Sequence, residues 1–299
     1  GQATFVIGAN SFGGDAKQGA VDTLLGSPAT SDGSFRSGSV GTKRADAAAA
    51  LSGATSFNYD LRLFLDTSFT GKDLLRTMLR SGNFGSSAYG AGGYVGLDGM
   101  ETAFEEGSPN NVVVNRLWYQ FPIGDSFTAT VGGRVRQDDM LAVWPSAYPA
   151  DTVLDFFTYA GAPATYNLAL GSGGGLSWES DDFSISANYV STNGELSDPN
   201  VGGIATDGAG SVGTVQIAYA PENWGLAAAY NYTSKNAGTL YAGNGTPLAN
   251  TFTSNGNNSS VGLSAWWSPE EAGWFPSISA GWGYNSITDG DDTFVFRSA

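Results

Sequence analysis

The sequence predicts an all-β chain, an antiparallel transmembrane β-barrel of which about 12 strands are visible, and three observations carry that expectation. Hydrophobicity alternates with period two, the repeat of a strand whose two faces meet different surroundings. The connections between alternating runs are short and long by turns. Aromatic residues gather beside the short ones.

Taken in order, a short first strand over 3–10 carries Phe5, Ile7 and Ala9 on one face. The second, 57–67, carries Tyr59, Leu61, Leu63 and Leu65; the third, 74–84, Leu75, Thr77 and Leu79. Strands follow over 112–121 (Leu117, Tyr119, Phe121), 126–136 (Phe127, Ala129, Val131) and 166–178 (Tyr166, Leu168, Leu170, Leu176, Trp178). The later ones are 182–191 (Phe183 to Tyr189), 211–219 (Val215, Ile217, Tyr219) and 224–232 (Leu226, Ala228, Tyr230). Two more cover 259–268 (Val261 to Trp267) and 274–285 (Ile278 to Tyr284), and a twelfth begins near Thr293.

The tight connections are 67–73, 122–125, 179–182, 220–223 and 268–273; the long ones are 11–56, 85–111, 137–165, 192–210, 233–258 and 286–292. A soluble sandwich gives no reason to put short connections at one end and long ones at the other, whereas an outer-membrane barrel has short periplasmic turns and long external loops. At the tight-turn end stand Phe69, Phe121, Phe127, Trp178, Phe183, Tyr219, Trp224, Trp267 and Trp274. Rings at one height form an interfacial girdle, although aromatics also favour strands generally.

If the apolar face meets lipid, the other face lines water. On it fall Asp60, Arg62 and Asp66 of the second strand, Arg76 and Arg80 of the third, Arg116 of the fourth, and Arg134 and Arg136 of the fifth. In a dry core each charge would cost several kcal/mol unless paired, and a wet channel removes that cost. The later strands carry small or amide residues there, so the basic wall is one-sided. Two readings stay open and are compatible: a pore wall, and a structural ladder of Arg paired with Asp60 and Asp66.

The connection 137–165 is too apolar and aromatic to stand in solvent, with Trp144, Tyr148, Phe156, Phe157 and Tyr159, and Asp151 to Tyr159 has a short helical pattern. Folding inward brings Asp138, Asp139, Asp151 and Asp155 toward the Arg wall, an arrangement expected to narrow and transversely polarise a pore. An external lid or a subunit contact is the alternative.

Composition removes other classes. With no Cys and no His there is no disulfide framework, thiolate metal site or His-dependent nucleophile. A net charge of −15 disfavours nucleic acid. No apolar run approaches the roughly 20 residues of a membrane helix. The start, Gly1-Gln2-Ala3-Thr4, has no leader pattern, so an export signal is expected to lie outside this sequence. Gly71-Lys72-Asp73 is not a phosphate loop, the acidic pairs lie in turns, and no cofactor, metal site or enzyme activity is expected. The rival from another class is a secreted or surface β-rich protein, glycan-binding or structural.

The stretches Phe57 to Leu63 with Leu65 to Thr77, and Val135 to Pro149 with Leu154 to Gly161, resemble the cyanobacterial outer-membrane porins of the carbohydrate-selective porin superfamily, often labelled iron-uptake porins. The resemblance is dense over 57–190 and looser beyond. It implies a passive diffusion channel in the outer membrane, about sixteen strands in the complete protein, and a homotrimer. It also implies an upstream periplasmic S-layer-homology domain binding peptidoglycan or another cell-wall polymer, absent from residues 1–299. Met78 departs from the pattern where a basic residue is expected, and Phe296-Arg297-Ser298-Ala299 lacks a closing aromatic, so 1–299 is expected to be incomplete at its C-terminal end. Ions and small solutes are the expected cargo, with a weak lean to cations.

Overall fold

The structure, a computed structural model, describes residues 1–11, 53–90, 99–151, 155–238, 256–271, 273–289 and 292–298. Twelve strands form one antiparallel sheet in chain order, every neighbour in sequence being a neighbour in space. They are β1 (Gln2–Gly8), β2 (Ser56–Thr67), β3 (Leu74–Gly82), β4 (Val113–Ile123), β5 (Phe127–Arg136) and β6 (Leu170–Ser180). Then come β7 (Phe183–Ser191), β8 (Ser211–Tyr219), β9 (Trp224–Thr233), β10 (Asn257–Trp267), β11 (Ile278–Asp289) and β12 (Asp292–Ser298). No helix among the described residues is long and apolar enough to cross a membrane.

Burial is inverted relative to a soluble protein. The outward positions hold Leu63, Leu65, Leu117, Val131, Leu176, Ile185, Ile217, Leu226 and Leu263, all exposed, while Asp60, Arg62, Arg80, Arg116, Ser186, Gln216 and Asn231 are buried on the other face. The period-two pattern dictates this separation, because register pairs like with like across neighbouring strands: Ile185 with Ile217, Ser186 with Gln216.

Three boundaries differ from the sequence reading. Residues 166–169 precede β6 instead of opening it: Leu168 has φ +54° and Tyr166 is wholly buried, so they belong to the connection. The β11 strand starts at Ile278, leaving Trp274 in the turn and fully exposed. It also runs on to Asp289, which pairs with Asp292, so the β11–β12 connection is short and the alternation of short and long connections fails at that point.

The described residues of 137–169, between β5 and β6, lie inside the curve of the sheet. Two contacts rule out a flat sheet: the Ala147 N–H donates to Ser279 Oγ of β11 (2.8 Å), and four residues later Asp151 takes a 2.7 Å bond from Arg62 of β2. Four residues reach at most about 14 Å. Nine flat spacings of about 4.8 Å would separate those strands by about 43 Å, so the sheet must curl around the segment.

At the β2–β3 turn, Asp73 accepts from the backbone N–H of Phe69 (3.0 Å) and Thr70 (2.8 Å), from the Ser68 and Thr70 hydroxyls, and from Tyr119 on β4. The Tyr119 hydroxyl, with these turn donors, holds the Asp73 carboxyl well below the usual carboxylate range. A carboxyl lowered on folding adds stability above its unfolded pKa of about 3.9 and loses it as pH falls toward the folded value. Acidification from about pH 4 downward is therefore expected to destabilise wild type more steeply than Asp73→Asn, read as the denaturation temperature of detergent-folded protein against pH. Equal slopes would show that this turn does not contribute.

Candidate functional site: the inner wall and its inserted segment

The alternation turns Asp60, Arg62 and Asp66 inward from β2, with Phe64 between them; Arg76 and Arg80 come from β3, and Arg116 and Trp118 from β4. Asp60 lies between two guanidinium groups, taking Arg62 Nε at 2.9 Å and Arg80 Nε at 2.7 Å. Arg80 also donates to the backbone oxygen of Glu101 (2.9 Å), whose carboxylate is 3.0 Å from Arg136. Arg136 donates to both oxygens of Asp138, and Arg116 donates to Asp139 at 2.9 Å. With Asp151 on Arg62 (2.7 Å), acid and base alternate across β2–β5.

Nearer the tight turns, Arg76 holds Asp66 through two bonds of 2.9 and 2.7 Å. It lies 5.4 Å from the ring centres of both Phe64 and Trp118, a cation–π sandwich. Arg76 and Asp66 are each a third or more exposed, whereas Asp60, Arg62, Arg80 and Arg116 are buried.

Burial and the adjacent Asp138 carboxylate raise the Asp139 carboxyl above its ordinary value. For Asp138 burial acts in the same direction, but Arg136 and Arg116 outweigh it and hold the carboxyl low.

Arg134 departs from its expected place. A bulge between Gly132 and Val135 sets Arg134 opposite Leu117, whose side chain points outward, and turns Val135 inward. Arg134 pairs instead with Glu106 of the β3–β4 connection at 2.9 Å. Asp155 lies in a short 3-10 turn (Asp155–Tyr159), and its side chain is outside the described residues.

The described parts of the segment 137–169 meet the inner face at several strands. Buried Gln137 donates to Thr165 O (2.7 Å) and Thr214 Oγ1 (2.6 Å), and accepts from Leu168 N (3.0 Å). Ala142 N reaches Ser186 of β7, and Tyr148 donates to Ser277 O beside β11. The return leg takes bonds from Ser264 and Ser260 of β10 and from Gln216 of β8, whose amide donates to Tyr166 at 3.0 Å. Ala160, Ala162 and Tyr166 pack on Ala229, with Leu141 and Trp144 against them.

This explains the small residues of β7–β11: most of the segment lies on that wall, not on the arginines. A Cβ on Gly281 would stand 2.0 Å from Ala160 O, and one on Gly262 3.0 Å from Ala162 Cβ. The expected transverse field also changes character. Asp138, Asp139 and Asp151 touch their arginines directly, with no water-filled gap between acid and base.

Around the outer face the tight-turn aromatics form runs: Phe69, Tyr119 and Phe121 at 6.2 and 5.5 Å, and Phe183, Tyr219 and Trp224 at 4.7 and 5.5 Å. Trp178 is in register with Phe127, and Trp267 with Trp224. A second set, unanticipated from sequence, stands at the opposite end. Tyr59 bonds Ser81, Tyr189 bonds Ser211 and Tyr230 bonds Ser259, each on the next strand. The period-two pattern had these tyrosines on the right face; only the repeated Tyr–Ser diagonal marks them as a row. Glu101, Phe64 and Gln137 were likewise missed, and only Phe64, at an inward position of β2, left a sequence signal.

No family model matches the chain. An uncharacterized protein of Synechocystis sp. is 31% identical over 199 residues, covering 65% of this chain and 35% of that protein. One from Nostoc sp. is 28% identical over 272 residues, covering 78% of this chain and 44% of its own length. The chain therefore spans less than half of these relatives. Among solved structures, OprB of Pseudomonas putida aligns with TM-score 0.41 and 10% identity over 78% of this chain and 70% of that one. A porin of Rhodopseudomonas blastica aligns with TM-score 0.36 and 12% identity over 80% of this chain and 73% of its own.

Proposed function

We propose that this chain builds the wall of a porin in a Gram-negative-type, cyanobacterial outer membrane, a water-filled channel for passive diffusion of inorganic ions and small solutes. The observation that carries the reading is the inverted burial: large apolar side chains exposed along one face of a curled sheet, and ionised and amide side chains enclosed on the other. A secreted glycan-binding protein has no use for exposed large apolar side chains on ten strands of one sheet.

Segment 137–169 sets the width of the channel by occupying its interior. The wall supports a weak cation lean through near-neutrality. Four guanidinium groups (Arg62, Arg80, Arg116, Arg136) meet five carboxylates (Asp60, Glu101, Asp138, Asp139, Asp151), which leaves one negative charge. The Asp66–Arg76 pair adds none. Homotrimer formation and attachment to the cell wall through a further domain belong to the same reading, on the sequence resemblance alone. Catalysis has no part in it, and iron would permeate, not bind.

Single-channel recording of detergent-purified protein in a planar bilayer under a salt gradient tests this. Stepwise conductance with a small reversal potential of cationic sign is expected. Silence from inserted, folded protein would reject the channel and favour a structural or surface-binding role.

A further inference from the structure

Most of the exposed apolar residues lie on strands, but the β7–β8 connection, 192–210, carries Leu196, Val201 and Ile204 at 42%, 56% and 56% exposure. This loop is built firmly around Asn193. Its amide donates to Val201 O (2.8 Å) and Gly208 O (3.0 Å), and its carbonyl accepts from Gly210 N (2.7 Å). Polar groups are turned into the loop while apolar side chains are left outside.

The loop's position relative to the wall is fixed by two outward residues of β7. Ser191 Oγ donates to Gly203 O at 2.6 Å, and the Tyr189 hydroxyl accepts from Ala205 N at 3.1 Å. Both follow Phe183, Ile185 and Ala187 on the outer face, so residues 203–205 fold over the outside of the rim and bury Ser191 completely. Ile204 stands between the two contacts. Ala205 takes φ +55°, a left-handed conformation unusual for alanine, to complete the turn.

We propose that this loop is a membrane anchor, in which Ile204, with Val201 and Leu196, sits in the hydrocarbon margin of the outer leaflet, continuing the apolar band past the Tyr189 row. The proposal rests on the membrane reading of the outer face. Continuity with that face selects lipid as the occupant: Tyr189 belongs to the row of rings and also holds the loop. From Phe183 to Tyr189 is six residues, about 20 Å along a tilted strand and about 15 Å of height, so an apolar shelf beyond it extends the band toward the roughly 25 Å of such barrels.

The chain has no cysteine, so single labels are unambiguous. Ile204→Cys, Asn200→Cys and Leu226→Cys would each carry an environment-sensitive fluorophore, with full-length protein in phospholipid vesicles containing brominated acyl chains or with iodide outside. Asn200, exposed in the same loop, is the aqueous reference, and Leu226 the mid-band one. The label at 204 is expected to be quenched by brominated lipid at least about threefold more than by iodide, and that at 200 the reverse. Iodide quenching at 204 equal to that at 200, with 226 still quenched by lipid, would overturn the anchor alone. Protection of 204 from both quenchers would assign the patch to a second copy of the chain and also overturn it. No lipid quenching at 226 would remove the membrane reading itself, and the anchor with it.

Discussion

Excising residues 141–163 and joining the ends with a short Gly-Ser bridge is expected to raise single-channel conductance roughly two- to threefold and to admit larger solutes. The segment touches β2 and β7 through β11, so the area it occupies is interior area. Excision also exposes Ala229, so folding is to be checked first by retention of the β-spectrum in detergent. A point variant gives an independent route: Gly281→Leu places side-chain atoms where Ala160 O now lies and should push the segment off β11, with a smaller rise in conductance. Unchanged conductance in both folded variants would put the segment outside the conduction path.

Replacing Asp138 and Asp139 together by Asn is expected to reverse the sign of ion selectivity. The inner network then holds three carboxylates against four guanidinium groups, moving from one excess negative charge to one excess positive charge. In the low-dielectric surroundings of a buried cluster one unit of charge biases ions strongly, and the cation-to-anion permeability ratio should fall by about threefold or more. Arg116, nearly buried, keeps a neutral acceptor in place of its anion, so the denaturation temperature should drop as well. A lower denaturation temperature with unchanged selectivity would make these acids a brace for the segment and nothing more. Asp66→Asn is the complementary variant, since Asp66 and Arg76 are more exposed than the buried Asp60–Arg80 pair.

Which face of each strand is apolar follows from residue order alone, because alternate side chains leave opposite faces of any extended backbone whatever surrounds it. That local rule placed Asp60, Arg62, Arg76, Arg80 and Arg116 on the interior side and marked the tight-turn aromatics. It failed where the backbone departs from regular extension. The extra residue in the β5 bulge reverses parity, sending Arg134 to Leu117 and Val135 inward, and nothing in Gly132-Gly133 announces on which strand face the chain will resume. Apolar periodicity also mistook Tyr166 and Leu168 for a strand, since a residue buried by the inserted segment and one facing lipid are equally hydrophobic.

Which residues meet one another depends on the path of the whole sheet in space. Asp151 meets Arg62 across 89 residues, and Ala160 reaches Ser264 across 104, because the sheet curls until β2 and β11 flank one segment. Curvature is the sum of small twists and bulges over twelve strands, a quantity no local window contains. Asp138, Asp139 and Asp151 were legible as partners for an arginine wall, but their direct contact, which makes a nearly neutral network, depends on where that curl sets the segment down.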